Sequence, residues 1–229
     1  MERSASRRVV PGGGRMMDED LRAVSAGIGA GDADLETILS AYRAGLFPMG
    51  LSDGGGPPIG WWAPALRGVL LPGRLRVSRS LRRSVRRYTC SVDRAFDRVV
   101  DRCADPAREG AWISDDLREV YHRLHDTGRA RSVEVWDASG ELVGGLFGID
   151  LGRLFIGESM FHRRTDASKV ALVHLVDLLT EQYADDWTLD VQWSTPHLET
   201  LGVSEISGLD YLVRLRHAEA GSGSEVFYR

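Results

Sequence analysis

The stretch SVEVWDASGELVGGLFGIDLGRLFIGESMF, residues 132–161, decides the fold. SVEVW at 132–136 alternates in polarity and reads as a strand, and Ala138-Ser139-Gly140 is a turn. ELVGGLFGI at 141–149 is a second strand, a turn follows at 150–153, and LFIGESMF at 154–161 is a third. Consecutive strands joined by such short turns predict an antiparallel meander. A long helix is predicted next, over 166–183, with Asp166 as N-cap and Val170, Leu172, Val173, Leu175, Val176, Leu178 and Leu179 mostly buried. TLDVQW at 188–193 reads as a further strand, and YLVRL at 211–215 as the last. Meander, helix and strand together predict an α+β domain with a mostly antiparallel sheet.

Upstream, residues 114–126 form a helix pattern with Ser114 as N-cap before Leu117, Val120, Tyr121 and Leu124. Helices are also expected over 92–103 and 78–88, and a short strand over 66–72, stopped by Pro72. Leu35, Ile38, Leu39 and Tyr42 give helical spacing over 34–45, with Asp32 or Asp34 as cap and Gly45 at the end. SDGGGPPIG at 52–60 is a loop by composition. These patterns divide the chain into a flexible leader at 1–17, a small N-terminal α/β domain at 18–62, and a larger domain at 63–229, with the boundary near Trp61-Trp62.

With 229 residues, 43% hydrophobic and 27% charged, the chain can bury a core and is not a disordered tail. Its net charge of −4 excludes a wholesale polycation but not a local basic patch. Cys90 and Cys103 are too few for a disulfide scaffold and read as reduced thiols. The start has no apolar signal segment, and no apolar run approaches the ~20 residues that span a bilayer. A cytoplasmic protein is expected.

The basic residues are unevenly placed. Lys169 is the only lysine, whereas residues 74–87 hold seven arginines and no acid. Removing those seven charges from −4 leaves −11 for the rest of the chain. At ~100° per residue, Arg79, Arg82, Arg83, Arg86 and Arg87 share one arc of a helix, with Leu81, Val85 and Tyr88 opposite. Like charges at this spacing repel. A polyanion relieves that cost, and arginine suits phosphate through its planar fork. A solvated face, neutralised by acids from another segment, is the competing reading.

Three further features carry polar chemistry. In GRLFIGESMF, Gly157-Glu158 interrupts an apolar strand; a glycine there marks a bulge or close backbone approach. Period 2 puts Leu154, Ile156, Glu158 and Met160 on one face and Phe155, Gly157, Ser159 and Phe161 on the other, so polar atoms enter a buried face whichever is covered. Asp190 and Gln192 stand at i and i+2 of a strand. They either relay a hydrogen bond to an incoming group or form a bonded pair at a strand end. Trp112 lies in a loop, where it stacks on a base or plugs the core. His162 and His197 have no ligand spacing, so no metal is assigned.

Taken together, AYRAGLFP (41–48), WWAPALRGVL (61–70), EGAWIS (109–114) and EVYHRLHDTGRARSVEVW (119–136) resemble the leucyl/phenylalanyl-tRNA–protein transferase family. So do LVGGLFGIDLGRLFIGESMF (142–161), ASKVALVHLVDLL (167–179) and DVQWSTPHLETLG (190–202), in the same order. The resemblance implies a GNAT-like (acetyltransferase-like) larger domain. It also implies transfer of Leu, or less often Phe, with Met a further candidate, from aminoacyl-tRNA to proteins with N-terminal Arg or Lys. That reaction marks proteins for N-end-rule degradation. No cofactor, membrane or DNA is implied, and RRTDASK stands where an acetyltransferase would carry its pyrophosphate loop.

By the same resemblance, Asp190, Gln192 and Glu158 are the catalytic set. The aminoacyl pocket maps to Leu146, Phe155, Gly157, Leu175 and Leu189. Tyr42, Met49 and Trp112 map to the tRNA 3′ end, and Arg79, Arg83, Arg86 and Arg87 to the tRNA stem. Met49 replaces a frequent tryptophan, and Leu175 a common aromatic. The expected chemistry has Asp190 holding Gln192, one of them accepting a hydrogen bond from the attacking amine. Asp190 is either a general base or an orienting anion, and the tRNA ribose hydroxyl is the alternative carrier of the proton. Glu158 binds the donor α-amino group. Close backbone at Gly157 excludes β-branched donors by clash.

Overall fold

A computed structural model describes residues 21–24, 34–50, 59–108 and 112–220. The expected leader at 1–17 and loop residues 52–58 lie outside them. In chain order the elements are β1 (Leu21–Val24), α1 (Leu35–Arg43), β2 (Phe47–Gly50), β3 (Ile59–Pro64), β4 (Leu66–Leu70), α2 (Arg79–Arg87), β5 (Thr89–Val92), α3 (Phe96–Cys103) and α4 (Asp115–Asp126). They continue with β6 (Ala130–Trp136), β7 (Leu142–Asp150), β8 (Leu154–His162), α5 (Ala167–Tyr183), β9 (Thr188–Gln192), α6 (Pro196–Thr200), β10 (Ser204–Ser207) and α7 (Gly208–Ala220).

A small antiparallel sheet has the order β1-β3-β2. Pro48 sits on its edge strand β2, where a missing N–H is tolerated. Trp61 and Trp62 lie inside β3. The large sheet has the order β10-β4-β9-β8-β7-β6-β5. The expected meander is β6-β7-β8. Every neighbouring pair is antiparallel except β8 and β9, because α5 crosses over between them and returns the chain in the same direction. This is the mostly antiparallel sheet of an α+β domain that the sequence predicts.

Helices cover both faces of the large sheet. On one face α5 and α2 pack Leu81, Val170 and Leu179 against Val133, Val143 and Phe155. On the other, α1, α3 and α4 pack Ile38, Val99, Leu117 and Tyr121 against Phe147 and Ile156. Trp61 and Trp62 of the small sheet join this second cluster.

Several local expectations need correction. YLVRL is not a strand: α7 runs from Gly208 to Ala220, burying Tyr211, Leu215 and Ala218 at helical spacing, and the last strand is β10. The helix expected over 92–103 starts only at Phe96, since β5 pairs with β6 and Asp93 turns the chain with φ 53°. Asp166 occupies the N-cap position of α5 but with φ 64° and no capping bond from its side chain. The strict period of 2 along β8 is broken by a register shift opposite Phe147 and Gly148. Ile156 and Phe161 consequently enter one core cluster, while Met160 packs with Phe155 against the other.

Candidate active site

The parallel pairing of β8 and β9 is short. Leu154, Phe155 and Ile156 pair with Thr188, Leu189 and Asp190, and no later residue of either strand is paired with the other. Beyond that point the two strands are no longer paired, a splay in the ladder, and the expected catalytic residues cluster at it: Glu158 on β8, Asp190 and Gln192 on β9. Both carboxylates lie on the α1/α4 face of the sheet.

Asp190 is fully buried and fully bonded. Arg67 Nε donates to Oδ1 at 2.8 Å and Arg67 NH2 to Oδ2 at 2.6 Å. The Tyr211 hydroxyl donates to Oδ2 at 2.8 Å, and the Gln192 backbone N–H to Oδ1 at 2.8 Å. The last bond folds Gln192 into a left-handed turn, φ 62°, which a non-glycine residue holds only when its surroundings fix it. The Gln192 side chain itself, 8% exposed, makes no hydrogen bond to a described residue.

Arg67 is 1% exposed, on β4. Its guanidinium lies over the rings of Phe47 at 4.8 Å and Tyr211 at 4.4 Å, and NH1 donates to the Gly45 carbonyl at 3.0 Å. Burial is the largest single influence and works against this cation, but the charge and hydrogen bonds of Asp190 together with Tyr211 and Glu158 outweigh it and raise its pKa. β4 reaches Asp190 because Gly68 permits it. A Cβ there would stand 2.5 Å from the Trp193 carbonyl carbon and 2.6 Å from the Ser194 nitrogen.

Glu158 is bonded on one side only. The Tyr121 hydroxyl donates to Oε2 at 2.9 Å, whereas Oε1 and the nearby Tyr42 hydroxyl are buried without a hydrogen-bond partner. Burial pushes the Glu158 pKa up to about 7, against the Tyr121 hydrogen bond, which favours the ionised form.

The other expected site residues fall into three places. Leu146, Phe155, Leu175 and Leu189 share the apolar cluster under α5, on the sheet face opposite the carboxylates. Gly157 lies between, half-buried in the splay. It is not a close approach: an added Cβ would meet the Asp190 carbonyl at 3.4 Å and Leu189 Cδ1 at 3.8 Å, ordinary contacts. Tyr42 is fully buried beside Glu158, and Met49 and Trp112 pack half-buried against the same cluster. Arg79, Arg82, Arg83, Arg86 and Arg87 are exposed on α2, while Leu81 and Tyr88 are buried, as the helical wheel predicts. Among the described residues none of these arginines pairs with a carboxylate.

Arg67, Tyr121 and Tyr211 were missed. The signal for Arg67 is an arginine inside the apolar run of β4, which the larger arginine cluster at 74–87 outweighs. Tyr211 was hidden by the strand expectation. Both cysteines are free, and burial pushes their thiols up to about 11. Among the described residues no group of three or more His, Cys, Asp or Glu could hold a metal.

The chain is similar to known proteins of one family. A family model described as leucyl/phenylalanyl-tRNA protein transferase matches residues 69–216, and one for the N-terminal domain of the same family matches 31–65. A leucyl/phenylalanyl-tRNA–protein transferase of Syntrophobacter fumaroxidans is 50% identical over 190 residues, covering 81% of this chain and 79% of that one. Another, from Aromatoleum aromaticum, is 50% identical over 173 residues, covering 74% and 70%. Among solved structures, a spermidine/spermine N-acetyltransferase of Vibrio cholerae aligns at 18% identity and TM-score 0.31, over 42% of this chain and 63% of that one.

These matches define the protein as an aminoacyltransferase, with two buried carboxylates beside the end of the β8–β9 pairing. The chain belongs to the leucyl/phenylalanyl-tRNA protein transferase family.

Proposed function

We propose that this enzyme moves Leu, and less often Phe or Met, from aminoacyl-tRNA to the N-terminal Arg or Lys of acceptor proteins, in N-end-rule degradation in the cytoplasm. Among the described residues no helix is long and apolar enough to cross a membrane. The observation that carries the reading is the carboxylate arrangement at the splay within a chain of this family. The aminoacyl ester is already activated, so positioning supplies much of the catalysis. The acceptor α-amine, with a pKa near ~8, is partly neutral at cellular pH and needs little help with its proton.

Asp190 is an orienting anion in this scheme. All its acceptor directions are taken by Arg67, Tyr211 and the Gln192 N–H, so it sets the Gln192 turn. The Gln192 amide oxygen accepts the hydrogen bond from the attacking amine. As the C–N bond forms the ester C–O bond breaks, and the proton the amine loses goes to the departing ribose oxygen, which leaves as the free tRNA hydroxyl. Glu158 Oε1 and the Tyr42 hydroxyl, both unpaired, receive the donor α-amino group. The donor side chain enters between the splayed strands at Gly157, toward Leu146, Phe155, Leu175 and Leu189. Clash with those side chains, rather than with backbone at Gly157, excludes β-branched donors. Met49 and Trp112 border the 3′ adenosine, and the α2 arginines take the stem. Tyr42 of α1, beside Glu158, and Phe47 of β2, against the Arg67 guanidinium, cover the site.

The test is transfer of labelled Leu from tRNA to a protein with N-terminal Arg. RNase-sensitive label on the acceptor is expected, with Gln192→Ala reducing it strongly at unchanged stability. Label that stays on the RNA with the wild-type protein overturns the reading.

A further inference from the structure

The sheet separates two parts of the proposed RNA path. The arginines of α2 lie on the α5 face, whereas Glu158, Tyr42 and Trp112 lie on the opposite face. An RNA touching both must cross where the sheet permits it. The C-terminal end of β8 is such a place. The chain leaves β8 at His162 and enters α5 at Ala167 through a short loop. On the far side of the same strand end, Arg108 donates to the Met160 carbonyl at 2.7 Å, four residues before Trp112.

That loop is basic, exposed and fastened to α2. His162, Arg163 and Arg164 are exposed, and among the described residues neither arginine pairs with a carboxylate. The loop's one acid, Asp166, accepts from Lys169 Nζ at 3.2 Å and from Ser84 Oγ of α2 at 3.0 Å. The only lysine of the chain thus neutralises the one group here that would repel a phosphate. Tyr88, just past α2, donates its hydroxyl to the Thr165 carbonyl at 3.3 Å. Arg83 and Arg87 flank Ser84 on the helix, so their face and the loop form one surface. Asp137 is the outside acid whose charge Arg164 feels, and it is occupied by the Ser139 and Glu141 N–H groups and the Ser139 hydroxyl.

Distance gives this surface its role. Arg163 lies five residues beyond Glu158 on β8, at most about 17 Å at ~3.3 Å per residue. At the ~3.4 Å per nucleotide of a stacked strand that is at most about five nucleotides, the scale of the unpaired 3′ tail of a tRNA and not of its stem. We propose that Arg163 and Arg164 hold the phosphates of the single-stranded 3′ tail of the aminoacyl-tRNA as it crosses from the α2 face to the carboxylates at the splay. This rests on the transferase reading above.

Two probes separate the parts: whole Leu-tRNA, and a five-nucleotide RNA ending in a 3′-amide-linked leucine. The Arg163→Ala/Arg164→Ala variant is expected to bind both about tenfold more weakly at low salt, with the salt slope for the short RNA reduced by ~1.4. Arg163→Lys/Arg164→Lys recovers most of that slope, which a merely structural role of the arginines would not produce. The Arg83→Ala/Arg86→Ala variant weakens whole tRNA only. Short-RNA binding equal to wild type in the loop Ala variant overturns the inference. Transfer of Leu by the wild type in the same preparation keeps that failure distinct from failure of the transferase reading. Arg163 and Arg164 are exposed, so equal thermal midpoints are expected; a lowered midpoint with no recovery by the Lys pair also overturns it.

Discussion

Arg67 and Asp190 form a two-point ion pair, at 2.8 and 2.6 Å, between side chains that are 1% and 0% exposed. Removing one partner strands the other's charge in the core, which costs about 3–5 kcal/mol. Arg67→Met is therefore expected to lose that much stability in urea denaturation. The double variant Arg67→Met/Asp190→Leu should recover a large part of it, because no charge is left unpaired. Both should lose transfer, since the Gln192 turn loses its anchor. Equal stability of Arg67→Met and wild type would show that the pair does not hold β4 to β9.

Glu158 makes stability fall with rising pH. Burial raises its pKa from the ordinary 4.5 to about 7, so between those values the folded protein keeps a proton that the unfolded chain has released. Stability is full below about 4.5 and declines by up to roughly 3 kcal/mol by pH 7, at ~1.4 kcal/mol per pH unit. Asp150, raised by burial from 3.8 to about 6, acts in the same direction over a lower window. Glu158→Gln should therefore flatten the profile between pH 6 and 7 while leaving a slope below 6. Urea midpoints at pH 5, 6, 7 and 8 measure this, and an unchanged decline between 6 and 7 in the variant refutes it.

Two glycines at the splay should respond oppositely to a methyl group. Gly68→Ala drives a Cβ into the Trp193-Ser194 backbone and must displace the turn that carries Gln192. A loss of ~1–3 kcal/mol is expected, with transfer falling further than stability explains. Gly157→Ala meets only ordinary contacts, so its stability should stay within ~1 kcal/mol of wild type. Its effect belongs in the KM for Leu-tRNA and in donor choice. A folded, active Gly68→Ala enzyme would contradict the close approach.

The arginine face of α2 should bind by charge. Arg83→Ala/Arg86→Ala is expected to reduce the salt slope of tRNA binding by about 2, at ~0.9 per duplex phosphate contact. Filter binding between 50 and 200 mM salt reads it. A slope equal to wild type removes these residues from the interface.

The meander, α5 and β9 were legible because their patterns are long and their periods distinct. α2 was legible for the same reason: five arginines opposite Leu81 and Tyr88 admit one orientation. YLVRL misled because five residues of alternating polarity fit a strand and a helix equally. Tyr211, Leu215 and Ala218 resolve the choice only over a longer window. The bulge in β8 left no mark beyond Gly157, so the faces of Glu158 and Met160 could not be assigned from alternation.

By itself the sequence determined the order of elements in the large domain, the basic helix, and a family motif set that names Glu158, Asp190 and Gln192. These are local patterns or contiguous residues, and a chain carries them without being folded. Tertiary structure alone decided what those residues do. Arg67 is 123 positions from Asp190, and Tyr121 is 37 from Glu158. Whether a carboxylate is saturated like Asp190 or half-bonded like Glu158 depends on which distant donors the fold brings into reach in a dry core. Burial then sets what each can bind, because an unpaired charge away from water must find a partner or a proton.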